Sequence, residues 1–167
     1  MEKGHLRQLQ LGASRLELVV VAVIFAILAA WLTHTLSFYQ ELSEKTVVET
    51  TAMNMRTGLR FKIADLILKG EAGKQHNLAR LNPVQFLEKP PVGYLGEMRT
   101  PGNLPPGSWY YEQDSAELVY IPRLKANLTM VEGNGPQVGL RWQVKVVEGE
   151  VGVQSVDVEL LTPYNWF

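Results

Sequence analysis

Few residues of this sequence could do chemistry, and the two most unusual ones stand together at the head of an apolar segment. Arg15 and Glu17 lead into a run that carries no further charge as far as Leu32. A charged side chain at the centre of a bilayer costs about 2.5 to 3.5 kcal/mol. Glu17 would carry that cost if it reached the centre in its ionised form, so its position at the head of the run distinguishes this segment from an ordinary apolar span.

Outside this segment, the residue types that catalyse reactions or bind metals are scattered. His5, His34 and His76 have no carboxylate or cysteine at the spacing of a metal site. The stretch 133–136, Gly-Asn-Gly-Pro, predicts a turn rather than a phosphate-binding loop, since no Lys-Ser or Lys-Thr follows it. The sequence therefore predicts a protein that is not an enzyme, with no catalytic residue, metal or cofactor.

Length and composition favour one compact domain joined to one extended element. The chain has 167 residues and a formal net charge of -1. Neither a strongly basic surface nor an acidic tail is indicated, so no nucleic-acid partner is predicted. The absence of cysteine excludes disulfides, thiolate zinc sites and cysteine nucleophiles.

The apolar run from Leu18 to Leu32 has about 15 residues, fewer than the roughly 20 that cross a bilayer as a helix. Residues 33–38 can extend it at modest cost. A secretory signal peptide is the obvious competitor, because basic residues precede the run and small alanines lie within it. Glu17 argues against a signal peptide, since a carboxylate at the head of the apolar core has no use there.

The pattern downstream also argues for a helix rather than a signal peptide. Beyond Trp31 no Gly or Pro occurs until Gly58, and helix-favouring residues continue to Lys69. A helix from Leu16 to Lys69 would be about 80 Å long. The apolar run is therefore predicted to be the first half of one long helix.

The stretch Gly12-Ala-Ser-Arg-Leu-Glu17-Leu-Val-Val-Val-Ala-Val-Ile24 resembles the N-terminal signature of type IV pilins and type II secretion pseudopilins. In that family a short basic leader ends in glycine, and a membrane aspartic peptidase cuts after it. The fifth residue of the mature chain is glutamate. The resemblance places the cut between Gly12 and Ala13 and identifies Glu17 as that glutamate. The family usually has phenylalanine and threonine where this chain has Ala13 and Ser14.

The resemblance implies a processed membrane subunit. Prepilin peptidase would remove residues 1–12, and the new amine of Ala13 would be N-methylated. That amine is positively charged and lies at the positive end of a helix dipole, so Glu17 would neutralise it. The family implies that Glu17 does so between neighbouring subunits. The other implied partners are the inner membrane, further pilin or pseudopilin subunits and the pilus assembly platform.

Plainer interpretations of the two charges stay open. Glu17 can be an interfacial carboxylate in the first turn of a helix, favoured by the dipole alone. Arg15, with Lys3 and Arg7, can be a positive flank that keeps the N-terminus in the cytoplasm. This orientation predicts a single-pass inner-membrane protein with a periplasmic C-terminal domain, either in the membrane or in a filament.

Beyond the membrane segment the helix is predicted to be amphipathic. An apolar stripe recurs at steps of three and four residues, made of Ala52, Met55, Leu59, Ile63 and Leu66. Arg56 and Arg60 avoid the stripe, and its expected partner is a sheet of the same subunit. Gly58 predicts a bend or weak point in the helix, and Gly70 predicts its end.

From 71 to 107 the sequence predicts an irregular connection rich in Gly and Pro. Its one regular element is a short helix from Pro83 to Glu88, since Asn82 can cap it and proline suits its first position. Three residues are expected to pin the connection to the sheet, with an exposed partner patch as the alternative: Tyr94, Leu95 and Met98.

The remainder of the chain predicts strands that have one apolar and one polar face. Four stretches are predicted: Trp109 to Glu112, Glu117 to Ile121, 138–147 and 155–160. The stretch 107–120 also looks like a hairpin common in minor pilins and pseudopilins. The aromatic residues of these strands and of the tail Pro163 to Phe167 are expected to pack in the core.

Together these patterns predict an α+β protein in which a long N-terminal membrane-spanning helix packs by its second half on a small antiparallel sheet, as in pilins. The predicted segments are the leader 1–12, the transmembrane half 13–35, the amphipathic half 36–70, the loop 71–107 and the sheet 108–167. The predicted function is a structural subunit, a minor one, of a type IV pilus or a type II secretion pseudopilus. The alternative is a single-span anchored periplasmic binding module that does not polymerise.

Overall fold

The computed structural model describes residues 14–100, 102–131, 139–149 and 152–167. Within these residues, one long helix is followed by two short 3-10 segments and seven strands. The helix is α1 (Arg15–Leu68), the 3-10 segments are Ala72–Leu78 and Pro83–Phe86, and the strands are β1 (Tyr94–Met98), β2 (Trp109–Glu112), β3 (Glu117–Tyr120), β4 (Leu128–Met130), β5 (Leu140–Gly149), β6 (Gly152–Leu160) and β7 (Tyr164–Trp166). The chain divides into two compact units, Met1–Tyr39 and Gln40–Phe167.

The helix α1 has 54 residues, and both of its ends agree with the prediction to within one residue. Its C-terminal end is closed by Gly70, whose φ of 72° suits glycine. The Gly70 N–H donates to Ile67 O at 3.0 Å, and the Glu71 N–H donates to Leu66 O at 2.8 Å. This pair of bonds is the Schellman motif, and it satisfies two carbonyls that the helix end would otherwise leave open.

Within the unit Gln40–Phe167, the predicted apolar stripe of α1 faces the core. Ala52, Met55, Leu59 and Leu66 are buried, and Ile63 packs at the edge of the same cluster. The sheet contributes the aromatic centre, where the Trp109 and Trp142 rings lie 5.3 Å apart. These contacts confirm that the second half of the helix packs on the sheet and that the strand tryptophans are core residues.

The main sheet has the strand order β1-β2-β3-β5-β6, and it is mixed rather than antiparallel. The pairs β2–β3, β3–β5 and β5–β6 are antiparallel, but β1 runs parallel to β2. The prediction of a purely antiparallel sheet was therefore wrong, and so was the prediction that the short helix from Pro83 is the one regular element of 71–107, because β1 also lies there. For β2 to run parallel to β1, the chain must first cross back along the sheet. Such a crossover has no short turn signal in the sequence, unlike the tight turn of an antiparallel hairpin.

The second face of the sheet also differs from the prediction of one polar face. This face carries a separate apolar cluster, formed by the buried side chains of Tyr110, Val119 and Ile121. The cluster is covered by Met98 and Leu104. Leu104 lies in the connection between β1 and β2, so this returning segment buries the outer face. The return of the chain between β1 and β2 therefore accounts both for the parallel pairing and for the second apolar cluster.

A second, two-stranded sheet pairs β4 with β7. The sequence predicted neither strand, because each has three residues and too short a pattern to show alternation. Trp166 of β7 is buried in the main core, as expected for the aromatic tail. The tail therefore closes the core by strand pairing as well as by packing.

Gly58 lies in an unbroken stretch of α1, and its role is close packing rather than the predicted bend. A Cβ at this position would lie 1.9 Å from the backbone oxygen of Phe86. Phe86 ends the second 3-10 segment, whose start is capped by Asn82 through a 3.1 Å bond from the Val84 N–H. The predicted helix from Pro83 to Glu88 is thus a shorter 3-10 turn, and its Phe86 carbonyl packs directly against Gly58.

Candidate functional site

The described chain begins with a helix cap, at the position where the sequence placed the candidate assembly residues. The Ser14 hydroxyl oxygen accepts the Glu17 N–H at 3.2 Å, and the Ser14 carbonyl accepts the Leu18 N–H at 3.1 Å. A serine at the N-cap satisfies one of the backbone donors that every helix start leaves open. Gly12 and Ala13, the predicted cleavage and methylation positions, lie outside the described residues.

The carboxylate of Glu17 lies in the first turn of α1 and is exposed. It forms no hydrogen bond or ion pair with any residue that the structure describes. Arg15, two residues earlier, is also exposed, but residues two apart point to different sides of a helix. The structure therefore does not pair the two charges that stood out in the sequence, and the carboxylate remains available to an external cation.

Within the unit Met1–Tyr39, no residue that the structure describes buries the apolar segment of α1. An 18-residue window of the helix has a mean hydropathy of 2.5, and 0% of that window is buried. Its exposed large side chains are Leu18, Val19, Val20, Val21, Val23, Ile24, Phe25, Ile27, Leu28, Trp31 and Leu32. Contiguous apolar surface of this extent marks contact with lipid or with another protein, and α1 is long and apolar enough to cross a membrane.

Three hydroxyl side chains follow the apolar segment, and each is hydrogen-bonded to a carbonyl of its own helix. Thr33, Thr35 and Ser37 donate to the carbonyls of the residues four positions earlier, at 2.8, 3.0 and 3.0 Å. A hydroxyl bonded to its own helix does not require water, so it is tolerated at membrane depth. These bonds explain how residues 33–38 can prolong an apolar run that is short by itself.

A second group of polar residues, which the sequence patterns did not reveal, joins α1 to the strands within the unit Gln40–Phe167. The Glu41 carboxylate is 2% exposed, yet no cation of the described residues pairs with it. Its oxygens accept the Asn127 N–H and the Asn127 Nδ2 at 2.9 Å each, and the Trp166 Nε1 at 3.0 Å. Burial alone would raise the pKa of Glu41, but these three donors outweigh it and lower the pKa below its ordinary value.

Glu44, one turn further along α1, holds the same strand connection. Its carboxylate accepts the Tyr120 hydroxyl at 2.7 Å, the Arg123 N–H at 2.6 Å and the Leu124 N–H at 3.0 Å. Burial first, and then the bond to Glu44, raise the pKa of Tyr120. Glu41 and Glu44 together bind the segment from 120 to 127 and the C-terminal strand to one face of the helix, and we call this group the carboxylate clamp.

One sequence signal could have revealed the clamp. Glu41 precedes Val48 by seven residues and Ala52 by eleven, so it lies in phase with the apolar stripe. A carboxylate in phase with a core stripe must be buried with donors around it. The donors themselves come from residues more than 75 positions away, and no local pattern identifies them.

The described part of the chain contains no group of three or more His, Cys, Asp or Glu side chains that could hold a metal ion. No family model, curated protein or solved structure matches this chain.

Proposed function

We propose that this protein is a prepilin-like structural subunit, cleaved by prepilin peptidase between Gly12 and Ala13 and assembled through its N-terminal helix. One observation carries the proposal. The capped start of α1 at Ser14 follows the expected cut by a single residue, and the apolar half of the helix that begins there is not buried by any residue that the structure describes. A cut at this point would therefore release a helix that starts at its first residues and offers its apolar surface to a membrane or to neighbouring helices.

Glu17 then has a specific task in assembly. The new amine of Ala13 would carry a positive charge near neutral pH, beside the positive end of the helix dipole. Such a charge is costly in an apolar environment unless a carboxylate accompanies it. The Glu17 carboxylate is exposed and has no partner among the described residues, so it is available to the amine of a neighbouring subunit.

The same proposal covers location and partners. Lys3, Arg7 and Arg15 would keep the N-terminus in the cytoplasm, so that the chain crosses the inner membrane once and its C-terminal domain is periplasmic. Its partners would be prepilin peptidase, the assembly platform and other subunits of a type IV pilus or a type II secretion pseudopilus. The carboxylate clamp supports such a role, because it holds the strands firmly on α1 while the helix is pulled or packed into a filament.

Replacement of Glu17 tests the assembly step. In cells with an active prepilin peptidase and assembly machinery, Glu17→Ala should be cleaved like the wild type but be recovered in filaments about tenfold less. Glu17→Asp keeps the charge and should recover part of the incorporation. The matched control is Glu49→Ala, which removes an exposed helix carboxylate outside the apolar half. Normal incorporation of Glu17→Ala would remove the role assigned to this carboxylate.

A further inference from the structure

The segment 123–127, which we call the boundary segment, is fixed to α1 at both of its ends. Its first two N–H groups donate to the Glu44 carboxylate at 2.6 and 3.0 Å. Its last residue, Asn127, donates from its N–H and its Nδ2 to the Glu41 carboxylate at 2.9 Å each. These hydrogen bonds hold the boundary segment beside a single turn of α1, within the unit Gln40–Phe167.

That turn follows directly after the apolar part of α1. Residues 18–38 of the helix measure about 30 Å along its axis, which is the thickness of the hydrocarbon core of a bilayer. The head-group layer adds about 5 to 7 Å on each side, or about four or five further residues of helix. When residues 18–38 occupy the hydrocarbon, Glu41 and Glu44 therefore lie at the depth of the lipid head groups, and they hold the boundary segment at that depth.

Both charged side chains of the boundary segment are cationic. Arg123 and Lys125 are exposed, and neither side chain forms a hydrogen bond or ion pair with any residue that the structure describes. The Arg123 guanidinium packs against Gly107, where an added Cβ would lie 2.7 Å from Nη2. The guanidinium is thus positioned while its donors stay unused, and phosphate is an anion that a guanidinium binds in a bidentate manner.

The carboxylates beside these cations are occupied by donors of the protein. Glu41 is 2% exposed, and Glu41 and Glu44 each accept three hydrogen bonds. Lys45 and Glu49, which follow on α1, pair with each other at 3.9 Å and so add no net charge. The exposed side-chain charge around this turn is therefore that of the two cations.

We propose that the boundary segment binds the phosphate groups of membrane phospholipids through Arg123 and Lys125. Two features select lipid as the occupant: the segment is fixed to the turn that enters the head-group layer, and phosphate is the group that phospholipids present there. The inference rests on the membrane location within the proposed function. It adds that the folded unit Gln40–Phe167, and not only the apolar helix, holds the subunit at the membrane, so that entry into a filament must break these contacts.

Fluorescence quenching at single cysteines tests the depth of the boundary segment, because the chain has no cysteine of its own. The full-length protein with labelled Ala126→Cys is placed in nanodiscs of phosphatidylcholine and phosphatidylglycerol, and a nitroxide on the lipid head group is the quencher. The control is Ala64→Cys, which replaces an alanine that is also exposed. Because residue 64 lies about 30 Å beyond Glu44 along α1, quenching at Ala126→Cys should exceed the control about threefold or more.

Removal of the two charges tests the phosphate contacts. Arg123→Gln with Lys125→Gln should lower the quenching at Ala126→Cys by about half, because the attraction to the head groups is lost. Salt should have the same effect on the wild-type charges, since the Debye length falls from about 10 Å at 0.1 M to about 3 Å at 1 M, but not on this double variant. Arg123→Lys with Lys125→Arg keeps both charges and should keep the quenching. Both side chains are exposed, so these changes are not expected to unfold the protein.

Several outcomes would overturn this contact. They are equal quenching at Ala126→Cys and Ala64→Cys, quenching that neither charge removal nor salt changes, or a label at Ala126→Cys that is shielded from both the lipid quencher and aqueous iodide, which would assign the segment to a protein partner.

A third label separates this contact from the proposed function. Ala26→Cys lies in the apolar segment and should be quenched by a nitroxide on the lipid tails. Quenching there without head-group quenching at Ala126→Cys would refute the contact and leave the membrane location intact, whereas no quenching at Ala26→Cys would refute both. A chain that keeps its leader in cells and yet shows the expected quenching would refute the proposed function and leave the contact intact.

Discussion

Replacement of Glu41 should weaken the attachment of the C-terminal strand to the helix, because this one carboxylate accepts hydrogen bonds from two distant residues. The carboxylate is buried and accepts three hydrogen bonds from Asn127 and Trp166. In Glu41→Ala the exposed Asn127 can turn to water, but the buried Trp166 Nε1 loses its acceptor. An unpaired buried donor costs about 1 to 3 kcal/mol, and the lost charged bonds and packing add to it. We expect a total loss of about 3 kcal/mol.

Glu41→Gln separates the charge from the shape of the side chain. Its amide oxygen can still accept the Asn127 N–H and the Trp166 Nε1, but its NH2 group then faces the Asn127 Nδ2, which is also a donor. Neutral hydrogen bonds are about half as strong as those to a carboxylate, so we expect a loss of about 1.5 to 2 kcal/mol. Glu49→Ala, an exposed carboxylate of the same helix, should cost less than about 0.5 kcal/mol.

The pH dependence gives an independent check of the same group. The folded-state pKa of Glu41 lies below its ordinary value of 4.5, so its stabilisation is fully present above pH 4.5. The stabilisation is lost as the pH falls through the lowered folded-state pKa. The free energy of unfolding of Glu41→Gln should therefore decline less below pH 4.5 than that of the wild type.

The assay is urea unfolding of the full-length protein in detergent micelles, followed by near-ultraviolet circular dichroism. Hydrogen exchange of the amides in β4 and β7 supplies a local readout, because both strands depend on the clamp. The expected order of stability is wild type, then Glu41→Gln, then Glu41→Ala, with the faster exchange concentrated in these strands. A loss in Glu41→Ala no larger than in Glu49→Ala, or exchange unchanged in β4 and β7, would refute the clamp.

Two further substitutions test the packing around the clamp. Gly58→Ala should lower the free energy of unfolding by about 2 to 3 kcal/mol, because its Cβ would overlap the Phe86 oxygen. Urea unfolding measures this loss beside that of Ala64→Gly, a control at an exposed position of the same helix. A loss equal to that of the control would contradict the close contact between Gly58 and Phe86. Tyr120→Phe should cost about 1 to 2 kcal/mol through its bond to Glu44. Because the folded-state pKa of Tyr120 is raised, its stabilisation is present below pH 10 and is lost as the pH rises further. The free energy of unfolding of Tyr120→Phe should therefore decline less at alkaline pH than that of the wild type. An unchanged decline would count against the bond between Tyr120 and Glu44.

The sequence was informative wherever a pattern repeats along the chain. The long helix, its apolar stripe and its end at Gly70 follow from local periodicity and a glycine signal. The strands β2, β3, β5 and β6 also follow, because each alternates or lies beside a turn. In these elements the local preference of the residues agrees with the tertiary structure.

The features that escaped prediction depend on residues distant in the chain. The pairing of β1 with β2 and the burial of Tyr110 and Val119 depend on where the returning segment passes, which no local spacing encodes. The clamp is similar, because Glu41 meets Trp166 across 125 positions. Such contacts decide which polar groups are satisfied in the core, and only the assembled structure displays them.

The most direct test of the account is the intact mass of the membrane-extracted protein from cells with an active prepilin peptidase. Gly12→Val, which alters only the residue before the expected cut, is the control and should keep its leader. The account predicts a wild-type mass that begins at Ala13, without Met1 to Gly12 and with one added methyl group. A wild-type protein that retains Met1 to Gly12 in those cells would contradict it.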